Sequence, residues 1–288
     1  MIGLFFRMKY FRLFVRWGIL LGCARSAYPE PAGVSLPGTH APAAPHVIVV
    51  ETHSAFFNST DTALRRGELS VAEAMIGEAL ARKPTDAEAL LLRARLRMGN
   101  RDLVGAEMDI NTVIVAGGAP AAEGYGRLAS LRLAQKRTAE ASTAIAKALE
   151  LSPDQPDALL AQANFDLQQR NAEGALEKVT RAAAVRPNFE EAYGARAMIL
   201  MQLGRSEEGV QVLKDNLAKN PDSIMLHVQL AGLYIATARI DLMRAEVNEI
   251  KKLKDPRAPQ VAAALGDVAN QLQTRIQKAA TPAAPVKK

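Results

Sequence analysis

The chain has few side chains of the kinds that usually carry catalysis or bind metals. Its one cysteine, Cys23, cannot form a disulfide within the chain. Its four histidines are His40, His46, His53 and His227. None of these residues stands in an HExxH or CxxC pattern, and no histidine pairs with a carboxylate at ligand spacing. We therefore expect no metal site, no cofactor and no catalytic residue, and we predict that the protein is not an enzyme.

Two further groups of residues have a structural explanation. The glycines at 117–118 and 124–126 do not follow a strand pattern and do not fit a phosphate loop, so we predict a longer turn there. The acidic pairs Glu190-Glu191 and Glu207-Glu208 fall at predicted helix starts, where negative charge complements the helix dipole. Neither group requires a catalytic role.

The positive charge of the chain belongs to its N-terminal segment. The formal net charge is +6, but residues 1–25 carry five of the 36 basic residues and none of the 30 acidic ones. The rest of the chain is therefore nearly neutral and lacks the basic footprint of a nucleic-acid-binding surface. We expect no nucleic-acid partner.

Residues 1–25 have the composition of an export signal. Basic residues precede an apolar stretch at 17–22. A membrane-spanning helix needs roughly 18 uninterrupted apolar residues, and Arg12 and Arg16 interrupt any run of that length here, so none is predicted. The sequence Leu-Leu-Gly-Cys at 20–23 resembles a bacterial lipobox, which implies that Cys23 carries a lipid and becomes the mature N-terminus. The alternatives are cleavage at a small residue such as Ala24 or Ser26, and an uncleaved or cytoplasmic chain.

A period close to 34 residues runs through most of the chain. Prolines recur at intervals of 33 to 36 residues, and two columns of small residues keep the same register. Such a period indicates a solenoid of helix-turn-helix units, in which small residues lie where the two helices of a unit approach closely. The prolines are Pro84, Pro120, Pro153, Pro187, Pro221 and Pro256; the columns are Ala94, Ala129, Ala163, Ala197 and Ala231 at position 8, and Ala72, Ala106, Ala141, Ala175 and Gly209 at position 20.

This pattern resembles the tetratricopeptide repeat (TPR) family. In the unit 156–189 the matching residues are Leu159, Ala163, Ala175, Val179, Ala182 and Pro187; Thr60, Asn216 and Met243 depart from the pattern elsewhere. The resemblance implies an all-α, right-handed superhelix of about six repeats with a capping helix at its end. The predicted segments are a targeting segment 1–25, a Pro/Ala-rich linker 26–52, repeats 53–86, 87–121, 122–155, 156–189, 190–223 and 224–257, a capping helix 258–280 and a disordered tail 281–288.

In this family the first helix of each repeat lines a concave groove that binds protein segments. The corresponding positions here hold Arg95, Ser130, Asn164, Gln168, Met198, Met201 and Gln202, beside small residues such as Gly126 and Gly194. Amides can bond a peptide backbone and methionines form an adaptable apolar surface. We predict a groove for a peptide or a helix; an unused or self-associating surface is the alternative.

Taken together, these features predict a non-enzymatic scaffold for protein–protein interactions. Its plan is similar to that of exported TPR lipoproteins of pilus assembly (Tad/Flp type), which implies a periplasm-facing outer-membrane or periplasmic location in a bacterial envelope. A soluble cytoplasmic adaptor and an accessory subunit of an envelope enzyme are the alternatives that the sequence leaves open.

Overall fold

The computed structural model describes residues 53–280, which form thirteen α-helices and no strand. The predicted targeting segment with Cys23, the linker and the tail lie outside these residues. The helices are α1 (Ala55–Arg65), α2 (Leu69–Arg82), α3 (Ala87–Gly99), α4 (Leu103–Ala116), α5 (Pro120–Ala134), α6 (Thr138–Leu151), α7 (Pro156–Gln168), α8 (Ala172–Val185), α9 (Glu190–Gln202), α10 (Ser206–Leu217), α11 (Ile224–Ala236), α12 (Ile240–Lys252) and α13 (Ala258–Ala280).

The first twelve helices form six pairs, in which each odd-numbered helix packs on the even-numbered helix that follows. The predicted all-α repeat fold is therefore confirmed. Successive pairs also pack on each other, so that the apolar faces of neighbouring repeats form one continuous series of core clusters. The last helix, α13, packs on α12 and buries Val261, Leu265 and Leu272 at the end of the array.

The third repeat begins earlier than the sequence pattern indicates. Helix α5 starts at Pro120, because a proline in the first turn loses no helical hydrogen bond. Gly124 and Gly126, predicted to lie in a turn, therefore lie inside α5, and that prediction was wrong. The turn itself is confined to 117–119, where Gly117 and Gly118 have φ of 73° and 72°.

The two columns of small residues lie at the contacts between the paired helices. All five residues at position 8 and all five at position 20 are buried. At Gly209 the contact is closest, since a Cβ atom there would lie 2.7 Å from the backbone oxygen of Ala197. The small side chains therefore set the distance between the two helices of a pair.

The three departures from the pattern are also buried. Met243 packs in the apolar cluster of α11 to α13, where α13 replaces a further repeat. The Thr60 hydroxyl donates to the backbone oxygen of Phe56 at 2.9 Å, and the Asn216 side-chain oxygen accepts from the Asn220 amide at 3.0 Å. Each departure thus keeps its polar group satisfied or fills an apolar space.

His227 occupies a position where the other repeats have apolar or aromatic residues. Its Nδ1 lies 2.8 Å from Glu246 Oε2, and its Nε2 lies 3.2 Å from the backbone oxygen of Pro221. Burial alone would lower the pKa of His227, but the hydrogen bonds to these two acceptors and the negative charge of Glu246 raise it. In its protonated form the ring can donate to both acceptors, one from each nitrogen.

The close contact at Gly209 gives a test of the helix pairing. We expect Gly209→Ala to destabilise the protein by ~1–3 kcal/mol, because the added methyl group would meet backbone rather than a movable side chain. Gly77→Ala in α2 is the matched control: no atom lies within 4 Å of the added methyl, so better helix propensity should stabilise by ~0.5–1 kcal/mol. Urea denaturation measures both, and equal effects at the two positions would contradict the pairing.

Candidate functional site

The odd-numbered helices line one face of the array, here called the inner face, and charged side chains cover much of it. Five carboxylates form the acidic part of a network of ion pairs on this face. They stand in the first turns of successive odd-numbered helices, where they complement the positive end of the helix dipole. They are Glu88 of α3, Glu123 of α5, Asp157 of α7, and Glu190 and Glu191 of α9.

Four arginines bind the carboxylates of α5, α7 and α9. Arg127 contacts Glu123 at 2.6 Å and Asp157 at 3.9 Å, and Arg186 contacts Asp157 at 2.9 Å. Arg65 lies 3.4 Å from Glu190, and Arg95 lies 3.1 Å from Glu191. Glu88 is satisfied differently, since it accepts a hydrogen bond from the backbone N–H of Ser54 at 3.0 Å. The inner face is therefore balanced in charge by the chain itself.

The pKa values in this network follow from burial and ion pairing. Burial alone would raise the pKa of Asp157, but Arg127 and Arg186 outweigh it and lower the pKa to about 2. Burial likewise opposes the charge of Arg127, yet Asp157 and Glu123 raise its pKa. Both groups are charged at neutral pH, and each offsets the cost of burying the charge of the other.

Several residues predicted to line an open groove are instead in contact with other parts of the same chain. Arg95 is ion-paired with both Asp61 and Glu191. A Cβ atom at Gly126 would lie 2.7 Å from the backbone nitrogen of Ala158, so the absence of a side chain lets the start of α7 pack closely against α5. At Gly194 the corresponding space is filled by the side-chain amide of Gln229. These glycines therefore serve contacts between repeats rather than an approaching partner.

The other predicted residues lie together on the C-terminal halves of α5, α7 and α9. We call this group the open strip. Asn164 and Gln202 are exposed, and the remaining members are half-buried. In the described part of the chain, the amides of Asn164, Gln168 and Gln202 make no hydrogen bond, while Met198 and Met201 rest against the core of the last repeats. The open strip consists of Ser130, Asn164, Gln168, Met198, Met201 and Gln202.

The carboxylates of the network were not predicted as functional residues, although a signal for them exists. Glu88, Glu123, Asp157 and Glu191 follow one another at intervals of 34 or 35 residues. They stand at the second position of consecutive repeats, and a residue type that recurs in register is as informative as the small residues at positions 8 and 20. Their arginine partners come from different positions of the repeat, so no periodic signal identifies them.

Residues 53–280 contain neither a metal site nor a membrane-spanning helix. No group of three or more histidine, cysteine, aspartate or glutamate side chains in this range is arranged to hold a metal ion. No helix in the same range is both long enough and apolar enough to cross a membrane.

The buried pair at Asp157 gives a test of the network. We expect Asp157→Asn to destabilise the protein at neutral pH by about 3 kcal/mol, because Arg127 and Arg186 lose their shared carboxylate. The folded pKa is about 2 and the unfolded value is ~3.9. The contribution of Asp157 is thus present above about pH 4 and lost as the pH falls towards 2.

Urea denaturation between pH 2 and 7 checks both expectations. The variant should be less stable than the parent at pH 7, and the difference should shrink as the pH falls from 4 to 2. Asp267→Asn, an exposed carboxylate on α13, is the control and should change stability little at any pH. A constant difference between Asp157→Asn and the parent across this range would contradict the assigned ion pairs.

Comparison with solved structures shows the fold. A chain of the APC/C hetero-tetramer Cut9–Hcn1 is 12% identical, with a TM-score of 0.51 over 74% of this chain and 42% of that chain. Yeast Tom70 is 14% identical, with a TM-score of 0.51 over 79% of this chain and 48% of that chain. The present chain thus matches less than half the length of either protein. No curated protein matches its sequence.

Family profiles identify the repeats directly. Two profiles, both described as tetratricopeptide repeat, match residues 61–123 and 160–224 in one case and residues 122–155 in the other. Together they cover more than half of the chain, and they fall on the helix pairs described above. The chain therefore belongs to the tetratricopeptide repeat family.

Proposed function

We propose that this protein is a scaffold that binds a peptide or a helix of another protein on the open strip. A scaffold for protein–protein interactions is the general role of the repeat fold. The observation that supports this particular surface is the group of three amides, on Asn164, Gln168 and Gln202, which have no partner in the described chain. The carboxylates at the N-terminal ends of the same helices are instead held by ion pairs within the chain.

The chemistry of the open strip suits a segment of low charge. Each amide can donate to a carbonyl oxygen and accept from an N–H group of a bound backbone. Met198 and Met201 lie beside them, half-buried, and their unbranched side chains can adapt to apolar groups of different shapes. No ionisable residue belongs to the strip, so salt should affect this contact weakly.

Substitution of two amides tests the proposed surface. The probe is a short peptide selected from a random displayed library for binding to the full-length protein. We expect Asn164→Ala/Gln168→Ala to weaken its binding about tenfold or more, because two hydrogen-bonding groups, each contributing ~0.5–1.5 kcal/mol, are removed. Isothermal titration calorimetry measures the dissociation constant, and circular dichroism checks that helix content is unchanged.

Asn111→Ala/Gln260→Ala is the matched control. Both residues are exposed amides, on α4 and α13, away from α5, α7 and α9, which carry the strip. This control should bind the peptide as tightly as the parent. Equal binding by the strip variant and the parent would refute the assignment of the open strip.

We also propose that the scaffold works in a bacterial cell envelope, in pilus or secretion assembly, held to the membrane by a lipid on Cys23. The support is the sequence of residues 1–25, with its basic residues, apolar stretch and Leu-Leu-Gly-Cys motif. These residues lie outside the described part of the chain. The linker at 26–52, which is rich in proline and alanine, has the composition of a tether between the lipid and the repeats.

The intact mass of the mature protein tests this location. We expect a chain that begins at an acylated Cys23 in the membrane fraction of the native host. Cys23→Ser removes the acceptor and should leave the protein unacylated and absent from that fraction. An unmodified chain that begins at Met1 or Met8, found in the soluble fraction, would refute the proposal and favour a cytoplasmic adaptor.

A further inference from the structure

Three polar contacts join parts of the array that are not neighbouring repeats. In a solenoid each repeat ordinarily contacts only the repeats beside it. Here Arg65 of the first repeat lies 3.4 Å from Glu190 of the fifth, 125 residues away. Arg95 of the second repeat lies 3.1 Å from Glu191 of the fifth, 96 residues away.

The third contact comes from the segment that precedes α13. The Nη2 atom of Arg257 donates to the backbone oxygen of Arg65 at 2.6 Å. The same guanidinium is held by Asp255, whose Oδ2 lies 2.6 Å from Nη2 and whose side chain is 2% exposed. Gly67 lies directly beneath this pair: a Cβ atom there would be 2.8 Å from Arg257 Nε. The first repeat is thus fitted against the end of the array.

The groups that make these contacts are also held by side chains of their own or a neighbouring repeat. Asp61 is ion-paired with both Arg65 and Arg95, so one carboxylate positions both arginines. On the other side, Glu190 accepts a hydrogen bond from the Ser223 hydroxyl at 2.7 Å. Because these side chains are already held, little further conformational entropy is lost when the first and fifth repeats come together.

No apolar cluster in residues 53–280 joins the first repeat to the fifth or sixth. The cluster around Phe57 and Leu64 extends to the second repeat only, and the cluster around Leu213 and Leu226 begins at α9 and ends in α13. The closure therefore depends on charge and hydrogen bonds. Salt weakens such ion pairs in proportion to their exposure, and the exposed fractions are 20% for Arg65 and 5% for Glu190, against 29% for Arg95 and 33% for Glu191.

We propose that Arg65, Arg95 and Arg257 form a clasp that closes the array on itself, and that the clasp opens to widen the space which the inner face encloses. The consequence for partner binding rests on the function proposed for the open strip; the clasp itself does not. While the clasp is closed, the first two repeats stand opposite the start of α9, the helix that carries Met198, Met201 and Gln202.

A distance measurement between the first and fifth repeats tests the clasp without any partner. Spin labels are attached at Arg66→Cys and Asn188→Cys, two exposed positions beside Arg65 and Glu190, in the full chain carrying Cys23→Ser. Double electron–electron resonance then gives the distribution of label distances. The clasp variant is Arg65→Gln/Arg95→Gln/Arg257→Gln.

A second triple variant, Arg137→Gln/Arg205→Gln/Arg239→Gln, is the matched control. It makes the same change in net charge, but its arginines pair with Glu140, Glu208 and Glu207, which lie in the same or the neighbouring repeat. Circular dichroism confirms that both variants keep the helix content of the parent. A salt titration of the labelled parent is a parallel test that needs no substitution in the clasp.

We expect one narrow distance distribution for the parent and for the control. The clasp variant, and the parent in about 1 M salt, where the Debye length is about 3 Å, should each gain a population at longer distance. Identical distributions for the parent, the clasp variant and the parent in high salt would overturn the clasp. That result would leave the open strip as it stands, since Asn164→Ala/Gln168→Ala tests the strip by peptide binding alone.

Discussion

The close approach of paired helices is the constraint on which the rest of the structure depends. Where the backbone oxygen of Ala197 lies 2.7 Å from the place of a missing Cβ at Gly209, no larger side chain fits without moving a helix. The same register of small, buried residues recurs through the array. Because it fixes the distance within each pair, it also fixes which side of every odd-numbered helix turns to the neighbouring repeat and which side turns to the inner face.

The inner face uses charge where the pair contacts use small apolar residues. A buried ion pair seldom stabilises a fold more than a well-packed apolar pair would, but the loss of one partner is costly. The network of Glu123, Arg127, Asp157 and Arg186 therefore mainly determines how neighbouring repeats are positioned. A repeat that shifted against its neighbour would leave a buried charge without its partner. Ion pairs of this kind can hold the repeats in one relative orientation.

The sequence predicts the helices far better than it predicts what occupies the inner face. Small residues and prolines recur at a fixed interval, and their cause is local, so the repeat fold follows from them. The role of Gly126 depends instead on the start of α7, and that of Arg95 depends on Glu191, which is 96 residues away. The first contact depends on how neighbouring repeats pack and the second on the curvature of the whole array, and the period determines neither. The acidic residues at the second position of consecutive repeats could have been predicted, because they recur at a fixed interval in the sequence.

The division of the inner face into two parts follows from these contacts. At the N-terminal ends of α5, α7 and α9, every described carboxylate has a cation or a hydroxyl group beside it. Towards the C-terminal ends of the same helices, Asn164, Gln168 and Gln202 have no such partner, and water must satisfy their amides in the free protein. A partner that replaces this water gains hydrogen bonds without breaking any that the fold needs. The amides of this half make none of the hydrogen bonds of the fold, and this is the physical reason for proposing it as the binding surface.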